Sequence, residues 1–151
     1  MTSPYDVIVV GKGNAALCAA LSAHEQGAKV LMLEAASLEE SGGNSRFAGG
    51  VMRFAYSSVE DLKRVTELTD EEVATSDFGT NTREEFLDDI FRLTSYRTDP
   101  ELCEILVNES LDTMAWLRAK GARFVPNYGR QSGMVNGKRK FFGRLPIEVS
   151  G

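Results

Sequence analysis

The stretch YDVIVVGKGNAALCAALSAHEQGAKVLMLE, residues 5–34, decides the fold of this chain. Its first six residues are a short run rich in β-branched side chains, which predicts a strand buried on both faces. Small and straight-chain residues continue as far as Gly27, and this pattern predicts a helix that ends at a glycine. Residues 29–34 predict a second strand. A strand, a helix and a strand joined by short turns form a βαβ unit with parallel strands and a right-handed crossover.

The turn between the first strand and the helix has the spacing of a dinucleotide-binding fingerprint. Gly11 lets the chain turn sharply out of the strand, and Gly13 lets the backbone approach a pyrophosphate at the positive end of the helix dipole. Ala16 occupies the place of the third glycine, where alanine still allows the helix to pack closely on the strand. For Asn14 the alternative interpretation is a helix-entry residue that satisfies free backbone donors.

Glu34 ends the second strand, 23 positions after Gly11. A carboxylate at this place can accept hydrogen bonds from ribose hydroxyls and would repel a 2′-phosphate, which favours FAD or NAD over NADP. The alternative interpretation is an ordinary turn followed by an exposed glutamate at the end of a strand.

A second glycine-rich cluster, residues 42–46 (GGNSR), follows the second strand. It offers unhindered backbone N–H groups, a hydroxyl, an amide and one positive charge, a set suited to a second contact with a diphosphate. A simple NAD domain has no need of such a cluster, so the cluster favours FAD. The alternative interpretation is a flexible surface loop.

The remaining chain predicts three further segments after the dinucleotide unit of residues 1–34. Residues 35–58 predict a long loop, which inside a compact domain is usually functional, and residues 59–121 predict a helical segment. Residues 122–151 form the last segment. Between positions 59 and 112 there are 16 Asp or Glu against 5 Lys or Arg, which is typical of the solvated faces of helices.

Two helices stand out in the helical segment. One is predicted over residues 83–96 with Thr82 as its N-cap. The other is predicted from about residue 99 to residue 120, between an Asp-Pro start and Gly121, and a short strand follows at residues 122–125. The apolar stripe expected on the second helix is Leu102, Ile105, Leu106, Leu111, Met114 and Leu117.

Basic residues concentrate toward the end of the chain. A solvated basic face is the favoured interpretation, and an anion-attracting entrance to a substrate site is the alternative. The residues concerned are Arg130, Lys138, Arg139, Lys140 and Arg144.

The two glycine-rich motifs, GKGNAAL at residues 11–17 and GNSR at residues 43–46, resemble the start of the flavoproteins related to fumarate reductase and succinate dehydrogenase. They are most similar to the tricarballylate dehydrogenase branch. The resemblance implies an α/β fold, a Rossmann-like FAD-binding domain with a parallel sheet, incomplete here and followed by helices that lead toward a cap domain. It also implies FAD, held non-covalently, because the histidine that carries the flavin in membrane-bound relatives has no counterpart in the matching loop.

The resemblance places the adenosine end of FAD on the first motif, and its pyrophosphate and flavin near the second. It also implies that the loop of residues 35–58 contacts the flavin and that residues 122–151 start the transition to a cap domain. The implied cofactor-binding residues are Gly11, Gly13, Asn14, Ala15, Ala16, Glu34, Gly43, Asn44, Ser45, Gly49 and Gly50. The family's catalytic residues lie later in its members, so they are expected beyond residue 151. The chain is therefore expected to be an N-terminal fragment that is inactive alone.

The implied reaction adds or removes hydrogen across a carbon-carbon bond next to a carboxylate or carbonyl. The expected substrate is a small carboxylic acid or ketone, and an electron-transfer partner is a further expectation. Three other hypotheses stay open: an enzyme similar to the 3-ketosteroid dehydrogenases, a non-catalytic nucleotide-binding fragment, and a simple NAD-dependent dehydrogenase.

The composition bounds these hypotheses. The chain has 151 residues, 42% hydrophobic and 26% charged, which is typical of a soluble globular protein. Its net charge of -5 makes nucleic acid a poor partner. Two cysteines and one histidine predict neither a disulfide framework nor a metal site. The opening residues resemble neither a signal peptide nor a membrane span, so a cytoplasmic location is expected.

Overall fold

The computed structural model describes residues 4–150, and the chain divides into two compact units between Gly49 and Gly50. The N-terminal unit contains two strands, β1 (Val7–Val10) and β2 (Val30–Leu33), joined by helix α1 (Asn14–Glu25). The strands are parallel and are paired along their whole length. This arrangement confirms the predicted α/β class and its βαβ start.

The prediction that β1 is buried on both faces is wrong. Successive side chains of a strand point to opposite faces, and on β1 Val9 is buried whereas Val10 is 81% exposed. Helix α1 packs against β1 and β2, and among the described residues of this unit no second layer covers the opposite face. An apolar run indicates that a strand can be buried, but the residues that would pack on its second face belong to other elements of the fold.

The described part of the C-terminal unit contains four helices. They are α2 (Val59–Val65), α3 (Asp70–Thr75), α4 (Arg83–Leu93) and α5 (Pro100–Ala119). Each of the first three starts with a capping box, in which a Ser or Thr accepts from the third helical N–H and the acid at that position binds the cap's own N–H. The predicted cap of α4, Thr82, is thereby confirmed. Part of the acidic excess in this segment therefore caps helices.

Helix α5 has the predicted ends. Asp99 accepts from the backbone N–H groups of Glu101 and Leu102, Pro100 is the first helical residue, and Gly121 follows the helix with φ +97°. This positive φ explains the glycine, because an L-residue there would be strained.

The apolar stripe predicted for α5 is wrong in its first half. Leu102, Ile105 and Leu106 are 64%, 60% and 57% exposed. The buried face instead consists of Cys103, Val107, Ser110 and Met114. Ser110 can face the core because its hydroxyl accepts from the N–H of Ala55 at 2.9 Å and donates to the carbonyl of Val107 at 2.8 Å.

Five short strands accompany the helices. They are β3 (Ser76–Asp77), β4 (Phe124–Pro126), β5 (Ser132–Val135), β6 (Lys138–Phe141) and β7 (Ile147–Val149). Strand β6 pairs in parallel with β3 and antiparallel with β5, and β4 pairs antiparallel with β7. The sequence predicted only β4. The missed β5–β6 hairpin turns at Asn136 and Gly137, which both have positive φ, and Asn-Gly is a strong hairpin signal.

The core of the C-terminal unit is built from side chains of its helices and strands. Its buried members are Phe54, Tyr56, Leu62, Val65, Phe78, Met114, Phe124, Phe141 and Ile147. Within residues 4–150 no helix is long and apolar enough to cross a membrane. The same residues contain no group of three or more His, Cys, Asp or Glu side chains that could hold a metal ion.

Candidate cofactor-binding site

The first glycine of the fingerprint occupies a left-handed conformation. Gly11 has φ +107°, and its N–H donates to the carbonyl of Leu33 at 2.6 Å, so the turn stays attached to the end of β2. A Cβ placed on Gly11 would lie 3.9 Å from the Cβ of Ala16, an ordinary contact. The backbone conformation, rather than lack of space, therefore requires glycine here.

Helix α1 starts immediately after the second glycine. Gly13 is the N-cap, and its carbonyl accepts from the N–H of Leu17 at 3.0 Å. Helix geometry leaves the N–H groups of Asn14, Ala15 and Ala16 without an intrahelical acceptor. The N–H groups of Ala15 and Ala16, together with the helix dipole, form a place suited to an anion.

The donor of Asn14 is satisfied by the second glycine-rich loop. Its backbone N–H donates to the hydroxyl oxygen of Ser45 at 2.9 Å, across 31 positions of sequence. Asn14 is the first helical residue rather than the N-cap, and the N-cap Gly13 has no side chain with which to cap the helix. The capping group is the Ser45 hydroxyl, and no local pattern in the sequence indicates it.

The second loop reaches α1 through two glycines and a short 3₁₀ helix. Gly42 and Gly43 both have positive φ, at 107° and 53°, and the 3₁₀ helix Gly43–Phe47 carries Ser45. In the same unit the ammonium of Lys12 donates to the hydroxyl of Ser41 at 3.2 Å. The two glycine-rich motifs, distant in sequence, therefore lie side by side at the N-terminus of α1.

Gly13, in the first loop, faces the second loop. A Cβ built on it would lie 3.5 Å from the Ser45 hydroxyl oxygen and 3.6 Å from the carbonyl oxygen of Gly42. These are ordinary van der Waals distances, and its φ of −77° suits any residue. The protein itself would therefore accept a methyl group here, in contact with the second loop.

Glu34 lies at the carboxyl end of β2. Its carboxylate accepts from the backbone N–H of Ala36 at 2.9 Å. This hydrogen bond is the main cause that lowers the pKa of Glu34, against a smaller opposing effect of desolvation, and the N–H groups of Gly42 and Lys12 add to it. Glu34 is therefore an ionised acceptor near both glycine-rich loops.

These groups fit the cofactor that the sequence implies. A diphosphate needs N–H donors and close backbone approach, which the α1 terminus and the glycines offer. A ribose needs a hydrogen-bond acceptor, which the Glu34 carboxylate offers.

Asn44, Gly49 and Gly50 complete the set of predicted site residues. Asn44 is exposed on the 3₁₀ helix. Gly49 ends the N-terminal unit and Gly50 begins the other one. Gly50 has φ +74°, and its carbonyl accepts from the N–H of Val149 at 2.7 Å.

The basic residues near the end of the chain are mostly occupied within the C-terminal unit. Arg144 binds Glu85 and Asp89, and Arg130 binds Glu148. The guanidinium of Arg139 lies 5.1 Å from the centre of the Tyr128 ring. Because these arginines already contact acidic or aromatic side chains of the same unit, the alternative of an anion-attracting entrance to a substrate site is weakened.

Comparison with known proteins identifies the family to which this chain belongs. Residues 6–144 match the model of a family described as an FAD binding domain. The chain therefore belongs to the FAD binding domain family. This match favours FAD over NAD as the nucleotide for the first turn.

The chain is similar to several reductases. It is 32% identical over 117 residues to the fumarate reductase (cytochrome) of Shewanella frigidimarina, covering 78% of this chain and 18% of that protein. It is 30% identical over 120 residues to the vinyl phenol reductase of Lactiplantibacillus plantarum strain ATCC BAA-793, covering 80% of this chain and 21% of that protein.

A solved structure shares the fold. The open conformation of a flavocytochrome c3 fumarate reductase matches with a TM-score of 0.58 and 27% identity, over 92% of this chain and 22% of that chain. The chain thus spans about a fifth of the length of the fumarate reductases it resembles.

Proposed function

We propose that this chain is the FAD-binding portion of an oxidoreductase that acts on a carbon-carbon bond next to a carboxylate or carbonyl. The observation that carries the proposal is the hydrogen bond from the N–H of Asn14 to the Ser45 hydroxyl. It joins the two glycine-rich loops into one cradle, made of residues 11–16, residues 42–46 and Glu34, in which a diphosphate can contact both loops.

Each part of the cradle has a proposed role. The backbone from Gly11 to Ala16 holds the pyrophosphate by N–H donors, and Glu34 accepts from the ribose hydroxyls. Gly43, Asn44 and Ser45 form the second contact with the diphosphate. Gly49 and Gly50 carry the main chain toward the flavin.

The proposed attachment of the flavin is non-covalent. The single histidine of the chain, His24, lies near the end of α1 rather than in the loop after β2. Acid precipitation of the loaded protein should therefore leave all flavin in the supernatant. A precipitate that retains flavin absorbance would contradict this part of the proposal.

The proposed substrate class follows from chemistry that the relatives share. The substrates in the names fumarate reductase and vinyl phenol reductase both contain a carbon-carbon double bond. When bound, FAD supplies hydride transfer to such a double bond or from the corresponding saturated bond. A small carboxylic acid is the preferred class, and tricarballylate is the finer candidate that the glycine-rich motifs suggest.

The test is a titration of the purified chain with FAD, followed by flavin fluorescence, for the wild type and for Gly13→Ala. We expect the variant to keep its thermal unfolding midpoint and to bind FAD at least about tenfold more weakly, because the methyl group occupies the space that the pyrophosphate needs. Gly129→Ala is the matched control, since a Cβ there meets nothing within 4 Å.

Two outcomes would contradict the proposal. One is a chain that is folded by circular dichroism but does not bind FAD. The other is FAD binding that Gly13→Ala leaves unchanged, which would place the nucleotide elsewhere.

A further inference from the structure

We propose that the solvent-facing side of helix α5 is a docking surface for a positively charged amphipathic protein segment. This α5 outer face consists of Leu102, Ile105, Leu106, Glu101 and Glu109. It lies in the C-terminal unit, and the inference does not depend on the proposed cofactor site.

The apolar part of the α5 outer face is separate from the core. Cys103, Val107, Ser110 and Met114 already form the buried face of the helix. The three aliphatic residues of the outer face follow the spacing i, i+3, i+4, which places them next to one another on one side of a helix. Each is more than half exposed. Single exposed apolar residues are normal, but a contiguous strip marks an interaction surface.

The charges around the strip have one sign. Residues 99–112 contain five Asp or Glu and no Lys or Arg. Glu109 lies one turn after Ile105, and Glu101 lies one turn before it, so carboxylates frame the strip along the helix. Asp112 is paired with Arg64, whereas Glu101 and Glu109 form no ion pair with any residue in the described range 4–150.

These charges decide between three occupants. A second copy of the same face would bring Glu101 and Glu109 of two chains together, and like charges across an interface are unfavourable. An anionic membrane surface would be repelled for the same reason. A protein segment with aliphatic anchors and flanking Lys or Arg would bury the strip and pair its charges.

The experiment uses two dye-labelled synthetic helical peptides with leucines on one face. One carries lysines on its other face and the second carries glutamates at the same positions. Binding to the full chain is measured by fluorescence anisotropy at low and at high ionic strength. We expect the lysine peptide to bind, more weakly at high salt, and the glutamate peptide not to bind.

Variants locate the binding site. Ile105→Ser should weaken binding of the lysine peptide about tenfold by removing a central anchor. Glu109→Lys should also weaken it and should allow the glutamate peptide to bind. Matched controls are Met134→Ser, whose side chain is 64% exposed like that of Leu102, and Glu40→Lys on an exposed loop of the other unit. Both should bind the lysine peptide as the wild type does.

Three results would overturn the proposal. The first is no binding of the lysine peptide to the folded chain. The second is binding that Ile105→Ser leaves unchanged or that Met134→Ser weakens equally. The third is a dimer in sedimentation velocity that Ile105→Ser abolishes, which would make a second copy the occupant.

Discussion

The two units of this chain are built on different principles. In the N-terminal unit, Val9 and Ala20 are the only hydrophobic residues among positions 4–49 that are buried. Its distinctive contacts are made by backbone groups, glycines and the Ser45 hydroxyl. The C-terminal unit instead has a core of large side chains, three capping boxes and a cluster of ion pairs.

This difference separates the energetics of folding from those of binding. A site made of main-chain donors depends on backbone conformation, so substitutions at its glycines should change ligand affinity more than stability. A unit made of packed side chains loses stability when volume is removed. The predictions below test this separation.

The largest effect is expected from Phe54→Ala in the C-terminal unit. Phe54 is 1% exposed and its ring lies 5.6 Å from that of Tyr56. Removing a buried phenyl group costs about 3–5 kcal/mol of unfolding free energy. Urea unfolding followed by the fluorescence of Trp116, the single tryptophan, measures the loss.

Phe142→Ala is the matched control, because Phe142 is 47% exposed. We expect its effect to be less than about a third of that of Phe54→Ala, since less apolar area is lost. Equal losses for the two variants would show that burial in this unit does not determine its stability.

An intermediate effect is expected from Asp89→Asn, at the centre of the ion cluster. The carboxylate of Asp89 accepts from Arg53 at 2.6 Å, from Arg92 at 2.9 Å and from Arg144 at 3.0 Å. The hydrogen bond from Arg53 is the main cause that lowers the pKa of Asp89 from 3.8 to about 2, and the other two arginines add to it. The variant removes the charge but keeps the shape.

The sign of the pH dependence follows from this lowered pKa. A carboxyl with a lower pKa in the folded state stabilises the fold above its unfolded pKa, and the contribution disappears as pH falls through its folded pKa. The stability difference between wild type and Asp89→Asn should therefore be constant above about pH 5, should shrink as pH falls, and should vanish only below about pH 2. Asp88→Asn, at an exposed neighbouring position, is the control. A difference that does not change with pH would contradict the role of the Asp89 charge.

The fold of the N-terminal unit could be predicted because its signals are local. Two apolar runs, a Gly-x-Gly turn and a helix ending at Gly27 lie within 30 consecutive residues, and each is a short-range requirement. The exposure of Val10 could not be predicted, because the layer that would cover a strand face is not encoded in the strand.

The C-terminal unit shows a different limit. The sequence contains the Asn-Gly pair of a hairpin turn at positions 136 and 137. The residues that follow, Lys138, Arg139 and Lys140, lack the alternating apolar pattern of a strand. On α5 the buried face includes Ser110, whose burial depends on a hydrogen bond to Ala55, 55 positions away. Such partners depend on tertiary structure and cannot be read from periodicity.

The smallest effect is expected from Ser45→Ala, which tests the side chain that joins the two loops of the N-terminal site. The Ser45 hydroxyl accepts from the N–H of Asn14 and thereby caps α1 from a distant loop. Loss of a helix-capping hydroxyl costs about 1 kcal/mol, so we expect a small fall in thermal stability and FAD binding weaker by roughly fivefold. Ser45→Thr keeps the hydroxyl and should bind FAD almost as the wild type does.

If alanine and threonine at this position weaken FAD binding equally, the side-chain volume rather than the hydrogen bond holds the loops together. In that case the contrast between a backbone-built site and a side-chain-built core would apply to the glycines but not to Ser45.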